Sequence, residues 1–325
     1  MRKLGSRGRL VVVVVVLVLV ATCYQFRGSW SAGLIDTVLR RQPGVTFVTH
    51  TVSSNDGFGV RTASFNVHVS PDATADQLSA LGHTLATQIH DSWVYGGLGA
   101  SFVVMRSAQS YPAQSGSTMY VRFEPSRSTP EAPWADWLTL SKGDYAYDIT
   151  GSASPDSTSL DVGLRSIEHW QDPLSASEFA TSVRRLATDF PDSTVAWTVF
   201  DADTNKAPRI RSNHGLPNRA QLALWEALDQ IAPIDGAFNL DQDDQNAFTL
   251  DALPPGPASD VDRVVVAQLQ LIKDSGLPAA YDVEDAQITV RPGGCSKDVR
   301  EPQPRTPADL ELQARLRAQF EQCRG

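Results

Sequence analysis

Five stretches of this chain place a capping side chain three residues ahead of Glu, Gln or Asp: Thr74–Gln77, Ser175–Glu178, Asn218–Gln221, Ser259–Asp262 and Thr306–Asp309. In that arrangement the two side chains satisfy backbone donors that every helix start leaves orphaned. An apolar stripe at helical spacing follows each one: Leu78, Leu81, Leu85, Ile89; Phe179, Val183, Leu186, Phe190; Leu222, Trp225, Leu228; Val261, Val265, Leu269, Ile272; Leu312, Leu316, Phe320. Each stripe covers one face only, so these are surface helices that must lie on an apolar layer. Strand-like runs stand between them, among them VTFVTHTV (45–52), SFNVHVS (64–70), TMYVRFE (118–124) and TVAWTVF (194–200). Strict alternation in FNVHV and MYVRF predicts strands with one face in water.

Strand–helix–strand order begins near residues 64, 159, 208 and 247, with 36 to 40 residues from strand to strand, the size of a βαβ unit. Two such halves joined by a tight strand connection make a ferredoxin-like plait. The predicted fold is therefore α+β: an N-terminal membrane anchor, then two ferredoxin-like (βαββαβ-type) sheet-plus-helix domains. The expected bounds are a basic tip and anchor over 1–28, a linker over 29–43, domains over 44–152 and 153–294, and a loop and helix over 295–325. The Gly/Ser/Pro-rich stretch Gly151–Ser157 reads as the link between the domains.

The anchor is the run Leu10–Cys23, fourteen apolar residues preceded by Arg2, Lys3, Arg7 and Arg9. That charge asymmetry keeps the N-terminus cytoplasmic and sends the body outward. As a helix the run is about 21 Å long, short for a span and long enough for a secretory apolar region. Three outcomes stay open: an uncleaved anchor, a lipoprotein acylated at Cys23, or cleavage after Ser29-Trp30-Ser31. Thr22 departs from the small residue that normally precedes a lipidated cysteine. All three place the body outside the cytoplasmic membrane.

The chain carries a net charge of −9, and −13 once those four basic residues are set aside, which repels phosphate backbones and excludes nucleic acid as the expected partner. Of three cysteines, Cys23 belongs to the apolar run; Cys295 and Cys323 remain as an even pair in an oxidising compartment, predicting a disulfide that ties the last helix to the last strand.

Residues that could carry chemistry are few. His83 and His90 share the polar face of one helix but stand about 10.5 Å apart along its axis, too far to share a metal. His50 and His68 fall in strands, where they face water or each other; His214 sits in a turn. The acidic loops Asp201, Asp203, Asn205 and Asp241, Asp243, Asp244 offer alternating oxygens as a calcium loop does, but Lys206 stands where such a loop needs glycine. They are weak metal candidates beside the reading as solvated turns. The Gly96-Gly97-x-Gly99 cluster lacks the following helix of a phosphate cradle. Trp93, Trp134, Trp137 and Trp170 are rim residues of a core or, exposed, a platform for a glycan or a partner. No catalytic residue or cofactor is expected. The sequence points to a non-enzymatic, membrane-associated interaction or scaffold protein of the bacterial cell envelope, with an unidentified envelope protein as partner. The alternatives are an envelope module binding a metal, glycan or lipid and, further off, a hydrolase.

Overall fold

The computed structural model describes residues 31–54, 61–90, 95–105, 116–124, 127–142, 148–164, 174–201, 209–213, 215–231, 237–240, 248–252, 258–283, 288–296 and 306–323. The apolar run and Cys23 lie outside them; no helix among the described residues is long and apolar enough to cross a membrane.

The element order is a single scheme repeated. Strands β1 (Val45–Ser54) and β2 (Arg61–Val69) precede helix α2 (Ala75–His90), and β3 (Tyr95–Met105) and β4 (Gly116–Phe123) precede α3 (Trp134–Lys142). Next come β5 (Asp148–Ser154), β6 (Ser157–Gly163) and α4 (Ala176–Asp189), then β7 (Ala196–Phe200), β8 (Arg209–Ser212) and α5 (Arg219–Ile231). The series ends with β9 (Ala237–Leu240), β10 (Phe248–Ala252) and α6 (Ala258–Ser275), and with β11 (Ala279–Val283), β12 (Ile288–Val290) and α7 (Pro307–Phe320). A strand–strand–helix order thus recurs six times among the described residues. Helix α1, over residues 31–39, precedes the series where a linker over 29–43 was expected. Its buried Ala32, Ile35 and Leu39 form a short stripe of their own.

The chain divides into two compact units: Met1–Gln109, Gly116–Leu138 and Gly151–Thr158 in the first, and Ser110–Ser115, Thr139–Thr150 and Ser159–Gly325 in the second. The expected sheet-plus-helix class holds, but the plait does not. In a ferredoxin-like plait, strands joined by a helix leave a gap that a third strand fills. Here β2 and β3 are direct parallel neighbours across α2, as are β6 and β7 across α4, β8 and β9 across α5, and β10 and β11 across α6. Each crossover is followed by an antiparallel return, as in β3–β4, β7–β8, β9–β10 and β11–β12. Strands therefore follow chain order within each unit. Gly151–Ser157 is no linker either: it holds the end of β5, a two-residue turn and the first residue of β6. Its serines occupy a hairpin, where Ser154 Oγ accepts from the Ser157 N–H at 3.1 Å.

The caps form as the sequence predicts at Thr74, Ser175, Asn218 and Thr306; α6 instead begins one residue ahead of Ser259. In the second unit the helices lie side by side. Arg184 of α4 pairs with Glu226 of α5, Gln268 of α6 donates to the Leu228 carbonyl at 3.3 Å, and Lys273 of α6 donates to the Gln319 carbonyl of α7 at 3.3 Å. The strand residues Leu160, Val162, Trp197, Val199, Ile210 and Tyr281 are buried with the helix stripes, and the rings of Phe190 and Trp197 stand 5.4 Å apart. The Tyr281 hydroxyl donates to Gln268 Oε1, and burial pushes its pKa up. The expected disulfide between Cys295 and Cys323 is present. Closing a loop with a sequence separation of 28 stabilises by about 3.6 kcal/mol in the chain-entropy account.

Trp225 is fully buried and its ring centroid lies 5.4 Å from that of Phe179. Trp225→Ala is expected to cost about 3–5 kcal/mol. Urea denaturation should show a lower midpoint with little change in slope.

Candidate functional site

The helices cover one face of the strands in the first unit, and the register defines what the other face presents. Along β2, buried Ala63, Phe65 and Val67 alternate with exposed Thr62, Ser64 and Asn66. Directly paired residues share a face. One row on the open face reads Thr49, Asn66, Ser101, Tyr120 across β1 to β4. Its neighbours read Phe47, His68, Val103, Thr118 and Thr51, Ser64, Gly99, Arg122. Hydroxyl, amide and aromatic groups dominate, and no carboxylate stands in these three rows. Tyr120 is 51% exposed and Phe47 48%, the largest apolar side chains left in water on this face. Sheets with parallel pairs usually cover both faces; a polar open face here is a surface that needs no cover to be stable and can offer many hydrogen bonds.

The register also separates the two strand histidines. His68 pairs with Phe47 on the open face, their rings 5.7 Å apart. His50 pairs with Phe65 on the opposite, helix-bearing face, with Nδ1 4.0 Å from Asp36 Oδ1 of α1. They do not face each other, and His50 is only partly buried beside Asp36.

A groove lies on the helix side of the first unit, between α2 and the segment from Glu124 to Trp134. It comprises two cavities of about 300 and 330 Å³ that share His83, Phe123 and Thr129. Such volumes suit a small ligand. The floor is Val121, Phe123 and Trp134; Thr87, Glu124, Arg127 and Glu131 supply polar groups. Arg127 pairs with Glu124 at 3.0 Å and with Asp156. Trp134 and Trp137 are core residues rather than a platform, with ring centroids 6.0 Å apart and Phe102 4.9 Å from Trp134. Sequence reasoning placed His83 on a solvated helix face and missed the groove, because its other wall lies some forty residues along the chain.

In the second unit, Asp161, Thr198 and Arg211 form one row across β6, β7 and β8. Gly163 lies against both neighbours: a Cβ there would stand 3.4 Å from the Asp148 Cβ and from the Phe200 ring, in close contact with each. The Arg209 guanidinium lies 6.0 Å from the centre of that ring. Desolvation, and then the Asp161 charge, hold the Asp148 carboxyl above its ordinary pKa.

Of the weak metal candidates, Asp201 is buried and its Oδ2 accepts from the Leu174 N–H at 3.0 Å, which fixes the backbone just ahead of the Ser175 cap. Asp203, Asn205, Asp241, Asp243 and Asp244 lie outside the described residues, as do Trp93, Trp170, His169 and His214. Gly97 and Gly99 are within β3, paired with Thr62 and Ser64, and hold no phosphate loop. Cys295, Glu321 and Cys323 converge within 4.8 Å, but both sulfurs are spent in the disulfide and offer no thiolate to a metal. Comparison with protein families, curated proteins and solved structures finds no match to this chain.

The Asp148 shift carries a sign. A carboxyl raised in the folded state holds its proton more tightly there, so its contribution is greatest in acid and is lost as the pH rises above the ordinary 3.8. Asp148→Asn is expected to raise the melting temperature at about pH 7 by no more than roughly 1–2 °C, since Asp148 is exposed and solvent screens much of the effect. The gain should vanish at about pH 3; thermal denaturation across that range checks both ends.

Proposed function

We propose that this chain is an interaction or scaffold protein of the bacterial cell envelope, working by binding rather than catalysis. In this reading its N-terminal segment holds it to the membrane, and both units stand outside. The observation that carries it is the open face of β1–β4: three rows in which hydroxyl, amide and aromatic side chains dominate, with Arg122 at one end paired to Glu124 at 3.5 Å, in a chain of net charge −9. A face left polar on a sheet with a parallel pair is stable in water and complementary to a partner's polar surface. The Cys295–Cys323 disulfide suits an oxidising compartment, and the basic residues ahead of the apolar run suit outward transfer of the body.

The groove beside His83 favours a second reading, a module for a small envelope ligand, its floor apolar and its rim of mixed charge. One experiment separates the two. A photo-crosslinking amino acid replaces Tyr120 on the sheet face or Thr87 in the groove, and intact cells are irradiated. Discrete protein adducts from position 120 and none from 87 are the expected result. Small-mass adducts at 87 with none at 120 would transfer the function to the groove, and no adduct at either position would leave both readings without support.

A further inference from the structure

Strand β12 bonds to β11 on one side; its other side is the last edge of the second unit. An open edge presents unpaired N–H and C=O groups, a template for another strand. On β12, side chains of α7 occupy that template. Gln313 Oε1 accepts from the Thr289 N–H at 3.0 Å, and Arg317 Nε donates to the Thr289 carbonyl at 3.0 Å. Glu321 Oε1 accepts from the Arg291 N–H at 3.0 Å, and its Oε2 accepts from the Ser296 N–H at 3.2 Å.

The spacing explains why a helix can do this. Residues 313, 317 and 321 form one row, each about 6 Å further along the helix axis. Residues 289 and 291 turn their backbone groups to the same side, about 6.7 Å apart along the strand. Gln313 and Arg317, one turn apart, close on the N–H and the carbonyl of the single residue Thr289, and Glu321, the capping residue just past α7, takes the Arg291 N–H just past β12, so this polar row saturates the edge as a neighbouring strand would. The burial supports the role: Gln313 is 7% exposed, and a buried amide costs free energy unless it is bonded. The helix end is tied on at the same place. The Gly293 N–H donates to the Phe320 carbonyl at 3.0 Å, the Gln322 N–H to the Gly294 carbonyl at 2.8 Å, and the disulfide joins Cys295 to Cys323.

We infer that α7 is a strand-mimicking latch on the β12 edge, and that the Cys295–Cys323 disulfide governs whether that edge is free to pair with β12 of a second copy of this chain. A second copy fits because antiparallel pairing of β12 with itself is isologous and uses only the β-branched run Ile288-Thr289-Val290. Opening the latch takes two electrons and two protons from a dithiol, which becomes a disulfide as the bridge becomes two thiols. The inference does not depend on the open sheet face or on the groove.

The test follows amide exchange and sedimentation of the full-length protein in detergent, with and without dithiothreitol. On reduction, the Thr289 and Arg291 amides should exchange at least about tenfold faster while those of β6 and β7 keep their protection. A dimer should appear as concentration rises. Thr289→Pro, which removes the edge donor, should abolish that dimer. In the oxidised protein, Gln313→Leu should speed exchange at Thr289 alone. Unchanged exchange at Thr289 and Arg291 on reduction overturns the latch. So does uniform acceleration through β6 and β7 together with an oxidised Gln313→Leu protein that exchanges like the parent. Faster edge exchange with a monomer at every concentration overturns the second copy as the occupant.

Discussion

Each helix with a described stripe buries it against the alternate residues of the strands beneath, and the rest of the architecture follows from that one-sided contact. Leu78, Leu81, Leu85 and Ile89 of α2 are at most 1% exposed, as are Phe65 and Phe102 of the strands below. Burying a side chain of this size is worth about 1.5–3 kcal/mol, so a single four-residue stripe outweighs the capping interactions that start its helix. A helix with one apolar stripe covers one face of a sheet and has nothing to offer the other. The strands accordingly carry Thr, Ser and Asn on the uncovered side. The open face is thus the complement of the helix stripes, and the surface available for binding was decided by the same residues that built the core.

What could be read from the sequence was local, and what could not was pairing. The caps at Thr74, Ser175, Asn218 and Thr306 depend on residues three apart, and the stripes on residues three and four apart. Both are visible without knowing the fold. The Cys295–Cys323 bridge was legible because only two cysteines remained for it. Which strand lies beside which is set by crossovers that no local pattern encodes, so the direct β2–β3 neighbourhood was read as a plait. Strand β11, Ala279-Ala-Tyr-Asp-Val283, escaped notice because two alanines and an aspartate carry little strand propensity. Gly151–Ser157 read as a linker because Gly, Ser and Pro mark turns; the composition was that of a hairpin between two strands. The open face was half legible: alternation in FNVHV showed a wet side, but its three rows exist only once the register is known.

Polar residues inside the second unit show a division of labour that the apolar pattern conceals. Gln268 lies within the α6 stripe region, where it accepts from Tyr281 of β11 and donates to the Leu228 carbonyl of α5. One amide thereby links a strand and two helices. Asp201 performs a similar task with the backbone ahead of α4. A buried polar group of this kind is costly when unpaired and specific when paired. Apolar stripes allow a helix to slide or rotate over its sheet, whereas these bonds fix its register.

The same logic governs the edges. A sheet of strand–strand–helix repeats in chain order does not close on itself, so its edge strands present backbone groups that need cover. Arg317 at β12 and Arg40 at β1 arrive at one solution: each donates its guanidinium to an edge-strand carbonyl, of Thr289 and of Val48 respectively. Arg40 is held by Asp36 at 2.9 Å and lies 5.2 Å from the centre of the Phe47 ring. Arg317 stands in a row with Gln313 and Glu321, and a covalent bridge secures the end of its helix. A guanidinium suits this duty because it stays charged at any physiological pH and its donors lie in a plane. A lysine would bring a mobile point charge instead. The apolar stripe of α7 was read as Leu312, Leu316 and Phe320, yet the buried residue is Gln313 rather than Leu312, which is only half-buried. That displacement turns the polar row towards the β12 backbone, so the helix covers a strand edge as well as a core.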